Sequence, residues 1–152
     1  MRLVLYQPEI AQNAGAATRA AACFDAGLDI IEPCGFPLNA KTFSRVAMDY
    51  GLLAQPRFHR SWRAFETHRQ KENARLILIT TKANQKMTDF SFNKEDWIIV
   101  GQESAGVPDS VRNSANASVR IEMSSKARSL NVSVAAAIAL SEMRRQCGFD
   151  EG

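Results

Sequence analysis

Histidine, paired cysteine and long apolar runs are all scarce in this 152-residue chain, and each scarcity removes a class of function. There are two histidines, His59 and His68, and three cysteines, Cys23, Cys34 and Cys147, with no CxxC spacing. A zinc site would have too few donors, and no metal is expected. Three cysteines cannot all pair within one chain, so free thiols in a reducing compartment are the simplest reading. The longest uncharged apolar stretch, Val132 to Leu140, is far short of the ~20 residues that cross a bilayer. Met1 and Arg2 lead directly into Leu3-Val4-Leu5 with no cleavage site behind them, so no signal peptide is expected. Neither the GxGxxG dinucleotide fingerprint nor the GxxxxGK[ST] phosphate loop occurs, which argues against standard dinucleotide and nucleoside-triphosphate sites. Internal repeats and low-complexity linkers are also missing. The expectation is one cytosolic domain over residues 1–152.

The residues that are present read as an α/β chain. A hydrophobic fraction of 45% suits a globular core, and this length buries roughly 70% of the unfolded surface. Nineteen Lys and Arg against sixteen Asp and Glu leave a net charge of +3, compatible with a polyanionic partner without demanding one. Short apolar runs alternate with amphipathic stretches, the pattern of a mainly parallel sheet covered by helices. Leu3–Tyr6, Ile30-Ile31, Leu76–Ile79, Trp97–Val100 and Val119–Met123 read as strands, six at most with the stretch around Arg57. The periodicity predicts helices over Ala14–Ala26 (Asn13 as N-cap, Gly27 as stop), Lys41–Met48, Trp62–Lys71 (Ser61 as N-cap) and Asn131–Gln146. In Lys41–Met48, Phe43, Val46 and Ala47 share a face; in the last helix, Val132, Ala135, Ala136, Ala139 and Met143 do.

Three segments carry more than structure. Pro8 to Gly15 with Arg19 joins a strand to a helix start, where amides and the helix dipole favour a phosphate; an ordinary Asn cap and a solvated Arg are the structural alternative. Gly101-Gln102-Glu103-Ser104-Ala105-Gly106-Val107-Pro108 follows a buried strand, where open α/β sheets bind ligands; turn chemistry alone also accounts for it. Ser124 to Ser133 is a polar, basic loop entering the last helix, with Ser129 and Asn131 able to cap. Arg57-Phe58-His59-Arg60-Ser61-Trp62-Arg63 interleaves cations with flat side chains, as RNA binding requires. That stretch reads equally as a strand followed by a capped helix with solvated arginines.

Together the first three segments resemble the signature motifs of the SpoU branch of SPOUT methyltransferases. The matches are NxGxxxR at Asn13, Gly15 and Arg19, GxExxGxP at Gly101, Glu103, Gly106 and Pro108, and SLNxSxA at Ser129, Leu130, Asn131, Ser133 and Ala135. The opening Leu5-Tyr6-Gln7-Pro8-Glu9-Ile10, then Ile31-Glu32-Pro33, Gly35-Phe36, Asp49-Tyr50 and Thr80-Thr81-Lys82, is similar to the tRNA wobble-position 2′-O-methyltransferases. No added RNA-binding domain of the kind many ribosomal-RNA relatives carry is in view. Val107 stands where Leu is usual, Gln12 where Pro is common, and Gly51 where relatives carry a bulkier residue.

This resemblance implies an α/β fold with a C-terminal deep trefoil knot, a rare exception to unknotted topology. It implies S-adenosylmethionine as cofactor, held by the knot loops largely through backbone groups at Ile79, Gly101, Ile121, Ser129 and Leu130. It points to Arg19 as the catalytic residue, with Asn13 and Glu103 positioning it or its loop. Arginine is normally protonated, so a phosphate clamp that lowers the ribose hydroxyl's pKa is physically easier than a base. Arg57, Arg60, Lys82, Lys126 and Arg128, with Lys86 beside them, are the candidate RNA contacts. The expected partners are a tRNA anticodon stem-loop and a second copy of the chain. Relatives bury the first and last helices between subunits, and Ala135, Ala136 and Ala139 are small enough for close approach; their alternative is packing on the chain's own sheet. Rival readings are methylation of ribosomal RNA or another tRNA position, an inactive knotted RNA-binding protein, and a flavodoxin-like nucleotide-binding module.

Overall fold

The continuous apolar runs Leu76–Ile79 and Trp97–Val100 lie inside a sheet, as strands without a polar face must. The computed structural model describes residues 1–47 and 50–150. Met48 and Asp49, which belong to the readings above, lie outside the described residues, as does the side chain of Val46. In chain order the elements are β1 (Arg2–Tyr6), α1 (Ala11–Cys23), β2 (Gly27–Ile31), α2 (Ala40–Ala47), β3 (Pro56–His59), α3 (Trp62–Lys71), β4 (Leu76–Ile79), a 3-10 turn (Met87–Asp89), β5 (Trp97–Val100), α4 (Asp109–Ser114), β6 (Ala117–Val119) and α5 (Val132–Cys147). The six strands form one sheet in the order β3-β2-β1-β5-β4-β6, every pair parallel. All strand carboxyl ends therefore share one edge, and β1 and β5 meet where the strand order reverses, the usual ligand position of such sheets.

Alternate side chains divide the core between the two faces. Leu3, Leu5, Leu28, Ile30, Ile77, Ile98 and Val119 pack with Ala14, Ala17, Ala21, Ala136, Ala139, Leu140 and Met143. Val4, Tyr6, Ile31, Leu76, Leu78, Trp97 and Ile99 pack with Phe65 of α3 and Val111 of α4. Ser61 caps α3 by accepting from the Ala64 amide at 3.1 Å, and Asn131 caps α5 by accepting from the Ser133 amide at 2.9 Å. Both caps match the sequence reading.

Four expectations change. The first helix starts at Ala11 with Ile10 at its cap position and no side-chain cap, so Asn13 sits in the first turn. It ends at Cys23, and Gly27 opens β2 instead of stopping a helix. The last strand is Ala117–Val119, short of Met123; Asn116 pins it, accepting from the Leu76 amide at 2.8 Å through its side chain and donating its own amide to the Leu76 carbonyl at 2.8 Å. Finally, Ala136 and Ala139 are fully buried in this chain's own core, so they do not form an outward stripe. The exposed apolar residues of α5 are Val134 and Ile138, one turn apart on a neighbouring face.

Candidate active site

A cleft of about 600 Å³ opens along the carboxyl edge of the sheet. The ends of β4 and β5 form its floor with Ile79, Val100 and Gly101, and the loops 101–107 and 121–132 form its walls. All five residues assigned to the cofactor, Ile79, Gly101, Ile121, Ser129 and Leu130, line it, as do Asn13, Glu103 and Lys82.

A chain of side-chain hydrogen bonds ties the three motifs together. One carboxylate oxygen of Glu103 accepts from the Glu9 amide at 3.0 Å and the other from Asn13 Nδ2 at 3.2 Å. Asn13 Oδ1 in turn accepts from Asn131 Nδ2 at 3.0 Å. Glu9 answers from the other side: its Oε1 accepts from the Ser104 amide at 2.9 Å and the Ser104 hydroxyl at 2.7 Å. Those bonds hold the Glu9 carboxyl below its ordinary pKa. Asn13 therefore braces the loops, which is why it is not spent on capping α1.

Gly101 is glycine for a reason inside the loop. A Cβ there would sit 2.5 Å from the Gly106 carbonyl carbon and 2.7 Å from its Cα. Gln102 and Gly106 exchange both backbone hydrogen bonds, at 2.8 and 3.0 Å. Gly106 takes φ +64°, the left-handed region that favours glycine. Any side chain at 101 would force this narrow turn open before it met a ligand.

Arg19 is exposed on α1 and is not among the residues lining the cleft. Six residues beyond Asn13, it lies about 9 Å further along the helix axis. Neither Asn13 nor Glu103 touches it; its guanidinium instead covers the Tyr50 ring, 4.9 Å from the centroid. Gly15, one turn before Arg19, is buried within the helix layer.

The candidate RNA contacts divide. Arg60, Lys82, Lys126 and Arg128 are exposed. Arg57 is already engaged, with Glu72 at 3.0 Å and His68 at 2.7 Å, and Lys86 pairs with Glu122 at 2.7 Å. The interleaved aromatic stretch is largely structural: His59 is buried against Asp29, and Trp62 packs on Tyr6 and Phe65. Phe58 alone of that group is an exposed ring. The three cysteines are free. Burial first, then the charges of Glu32 and Glu103, push the Cys34 thiol up to about 11, so it stays protonated at neutral pH.

One lining residue was not legible in the sequence. Arg112 of α4 reaches the cleft, and its Nε is buried without a hydrogen-bond partner. It belongs to no motif, so only the fold exposes it. Among the described residues no group of three or more metal-ligating side chains occurs, and no helix is long and apolar enough to cross a membrane.

Comparison with known proteins places this geometry. The sequence profile of the SpoU rRNA Methylase family matches residues 1–141. A tRNA (cytidine(34)-2'-O)-methyltransferase of Ancylobacter novellus is 47% identical over 148 residues, covering 97% of this chain and 94% of its own. One from Beijerinckia indica is 46% identical over 146 residues, covering 96% and 91%. Among solved structures, one described as structural insights into the 2-OH methylation of C/U34 on tRNA superposes with a TM-score of 0.88 at 35% identity, covering 95% of this chain and 94% of that one. The SpoU methyltransferase AviRb from Streptomyces viridochromogenes, solved in complex with AdoMet, shares the fold with a TM-score of 0.87 at 22% identity, covering 96% of this chain and 60% of that one.

Proposed function

The chain belongs to the SpoU methylase family, and from that premise we propose that it methylates the ribose 2′-hydroxyl of a tRNA wobble nucleotide, cytidine or uridine, using S-adenosylmethionine. The observation that carries this reading is the hydrogen-bonded link Glu103–Asn13–Asn131, which joins the three motifs around one cleft at the strand ends. The cleft suits the cofactor: Ile79, Gly101, Ile121, Ser129 and Leu130 all line it, and Arg112 brings a cation whose Nε has no acceptor. When bound, the cofactor supplies a methyl group activated by a sulfonium.

The chain's own residues must then align a ribose with that position and assist loss of its proton. Asn13, Glu103 and Asn131 hold the loops in register. Arg19, as a permanently charged planar donor, clamps a substrate phosphate and favours the ionised hydroxyl. Lys82, Arg60, Lys126 and Arg128 supply exposed charge for the RNA backbone, and Arg57 contributes only by leaving Glu72. A wobble nucleotide suits this reaction because an anticodon loop can splay its ribose outward, whereas an A-form helix holds it by stacking.

The working unit in this reading is a cytoplasmic homodimer on one anticodon stem-loop. Arg19 lies outside its own chain's cleft, and Val134, Ile138 and Ile10 leave apolar surface exposed near α1 and α5. Light scattering at micromolar concentration should therefore give twice the monomer mass; a monomer's mass would refute the dimer. We also read residues 1–152 as one domain with a knotted C-terminus. Segment 80–96 bonds both to the chain after β6, through Gln85 and Met87 to Arg120, and to the end of α5, through Phe90 and Phe92 to Gln146. A thread passing such a loop would make both sets of contacts.

The decisive experiment transfers labelled methyl to total tRNA and, separately, to ribosomal RNA. The modified site is then mapped by the resistance of a 2′-O-methylated linkage to alkaline cleavage. The expected product is a methylated ribose at the wobble position, with tRNA affinity that falls as salt rises. Label on ribosomal RNA alone, or on a tRNA site outside the anticodon loop, would overturn the substrate. Label on a base would overturn the reaction.

A further inference from the structure

Among the described residues, the buried arginines are all matched by acceptors. Arg2 binds Asp29 and the carbonyls of Leu28 and Gln55. Arg69 binds Glu66, the Ala74 carbonyl and Asn116. Arg144 binds the carbonyls of Phe24, Asp25 and Gly148. Arg112 differs. Its side chain is only 32% exposed, yet its sole ion-pair partner among the described residues is Asp109, 3.5 Å away and 88% exposed. An exposed i,i+3 pair at that distance binds weakly, and Nε has no acceptor although it is cut off from solvent. A buried donor without a partner calls for an explanation, and the residue that carries it lines the cleft together with Gly106 and Val107.

We propose that Arg112 binds the carboxylate at the amino-acid end of the methyl donor. This rests on the reading of the cleft as the cofactor site. Among the described lining residues the cations are Lys82 and Arg112, and the one carboxylate, Glu103, is occupied by Glu9 and Asn13. Lys82 is exposed, as a contact to a polymer's phosphates would be. Arg112 is half-buried in the lining of the cleft, where a small ligand's anion reaches it more readily than a phosphodiester backbone does. A guanidinium presents a planar fork that matches a carboxylate and is weakly hydrated, so it suits a partly buried site better than an ammonium.

Calorimetry with S-adenosylhomocysteine and with its decarboxylated analogue, which keeps the adenosine and the ammonium, tests this directly. Arg112→Gln should weaken S-adenosylhomocysteine roughly tenfold or more and leave the decarboxylated analogue within about twofold. Arg112→Lys, which keeps the charge without the fork, should fall between. A thermal melt of each variant separates misfolding from loss of a contact. Equal loss on both ligands would overturn the proposal, since the effect would then come from the adenosine side or the loop. Unchanged binding of both ligands with weaker, less salt-dependent tRNA binding would overturn it too and assign Arg112 to a phosphate. If the unaltered protein bound neither ligand, the cofactor reading itself would fall first, and this inference with it.

Discussion

Arg19→Ala should lower methyl transfer at least ~100-fold while cofactor affinity stays within about a few-fold, because Arg19 stands outside the walls of the cleft. The side chain is exposed on α1, and among the described residues its recorded contact is the Tyr50 ring, 4.9 Å from the guanidinium carbon. A face-on aromatic ring holds a guanidinium in place without neutralising it, leaving its donors available for a phosphate. Tyr50→Phe keeps the ring and should retain most activity. Tyr50→Ala should reduce kcat with little change in cofactor binding, since it frees Arg19 without removing it. Single-turnover transfer to anticodon stem-loop RNA, with cofactor affinity measured in parallel, reads both effects. Normal turnover by Arg19→Ala would reduce Arg19 to a surface residue and sink the clamp mechanism.

The second large effect concerns stability. Asp29, fully buried in β2, accepts from the Arg2 guanidinium and from His59 Nε2 at 2.7 Å. Arg2 extends the network to the carbonyls of Leu28 and Gln55, at 2.8 and 3.1 Å, and stacks over Trp97. This cluster fastens β1, β2 and β3 together on the α3 face of the sheet. Asp29→Ala removes the one anion between two buried donors and should cost about 3–5 kcal/mol, a large fraction of the roughly 5–15 kcal/mol that stabilises an ordinary domain. Asp29→Asn keeps the shape and should cost less. Urea unfolding monitored at Trp97 and Trp62 gives the values. A loss below about 1 kcal/mol for the alanine variant would mean that the network contributes little beyond packing.

The resemblance already pointed to Arg19, but neither its contact with Tyr50 nor the network around Asp29 was within reach of the sequence. Asp29 fell outside the strand read at Ile30-Ile31, and nothing local says that Arg2 and His59 will face it. Tyr50 was noticed only as part of a family likeness, and its contact with Arg19 depends on how α1 meets the chain after α2. Arg112 gave no signal at all. Asn13 shows the opposite failure: a good N-cap residue beside a helix pattern, it was drawn to Glu103 and Asn131, 90 and 118 positions away in the chain. The need for glycine at 101, set by the close approach of Gly106, was likewise invisible in the sequence.

What the sequence determined alone was whatever near neighbours decide. The apolar runs at Leu76–Ile79 and Trp97–Val100, the helix Trp62–Lys71 with its Ser61 cap, and the Asn131 cap of the last helix depend on periodicity and on side chains within four residues. The three motifs were equally legible, since each is a short string that a resemblance can match. The tertiary structure alone decided the strand order, the crossing that puts β5 beside β1, and the early end of the last strand at Val119. It also decided which buried donors find acceptors and which, at Arg112, do not. Those outcomes are set by contacts between residues far apart in the chain, where closing the chain is entropically costly and only the whole set of packed faces and satisfied hydrogen bonds selects one arrangement.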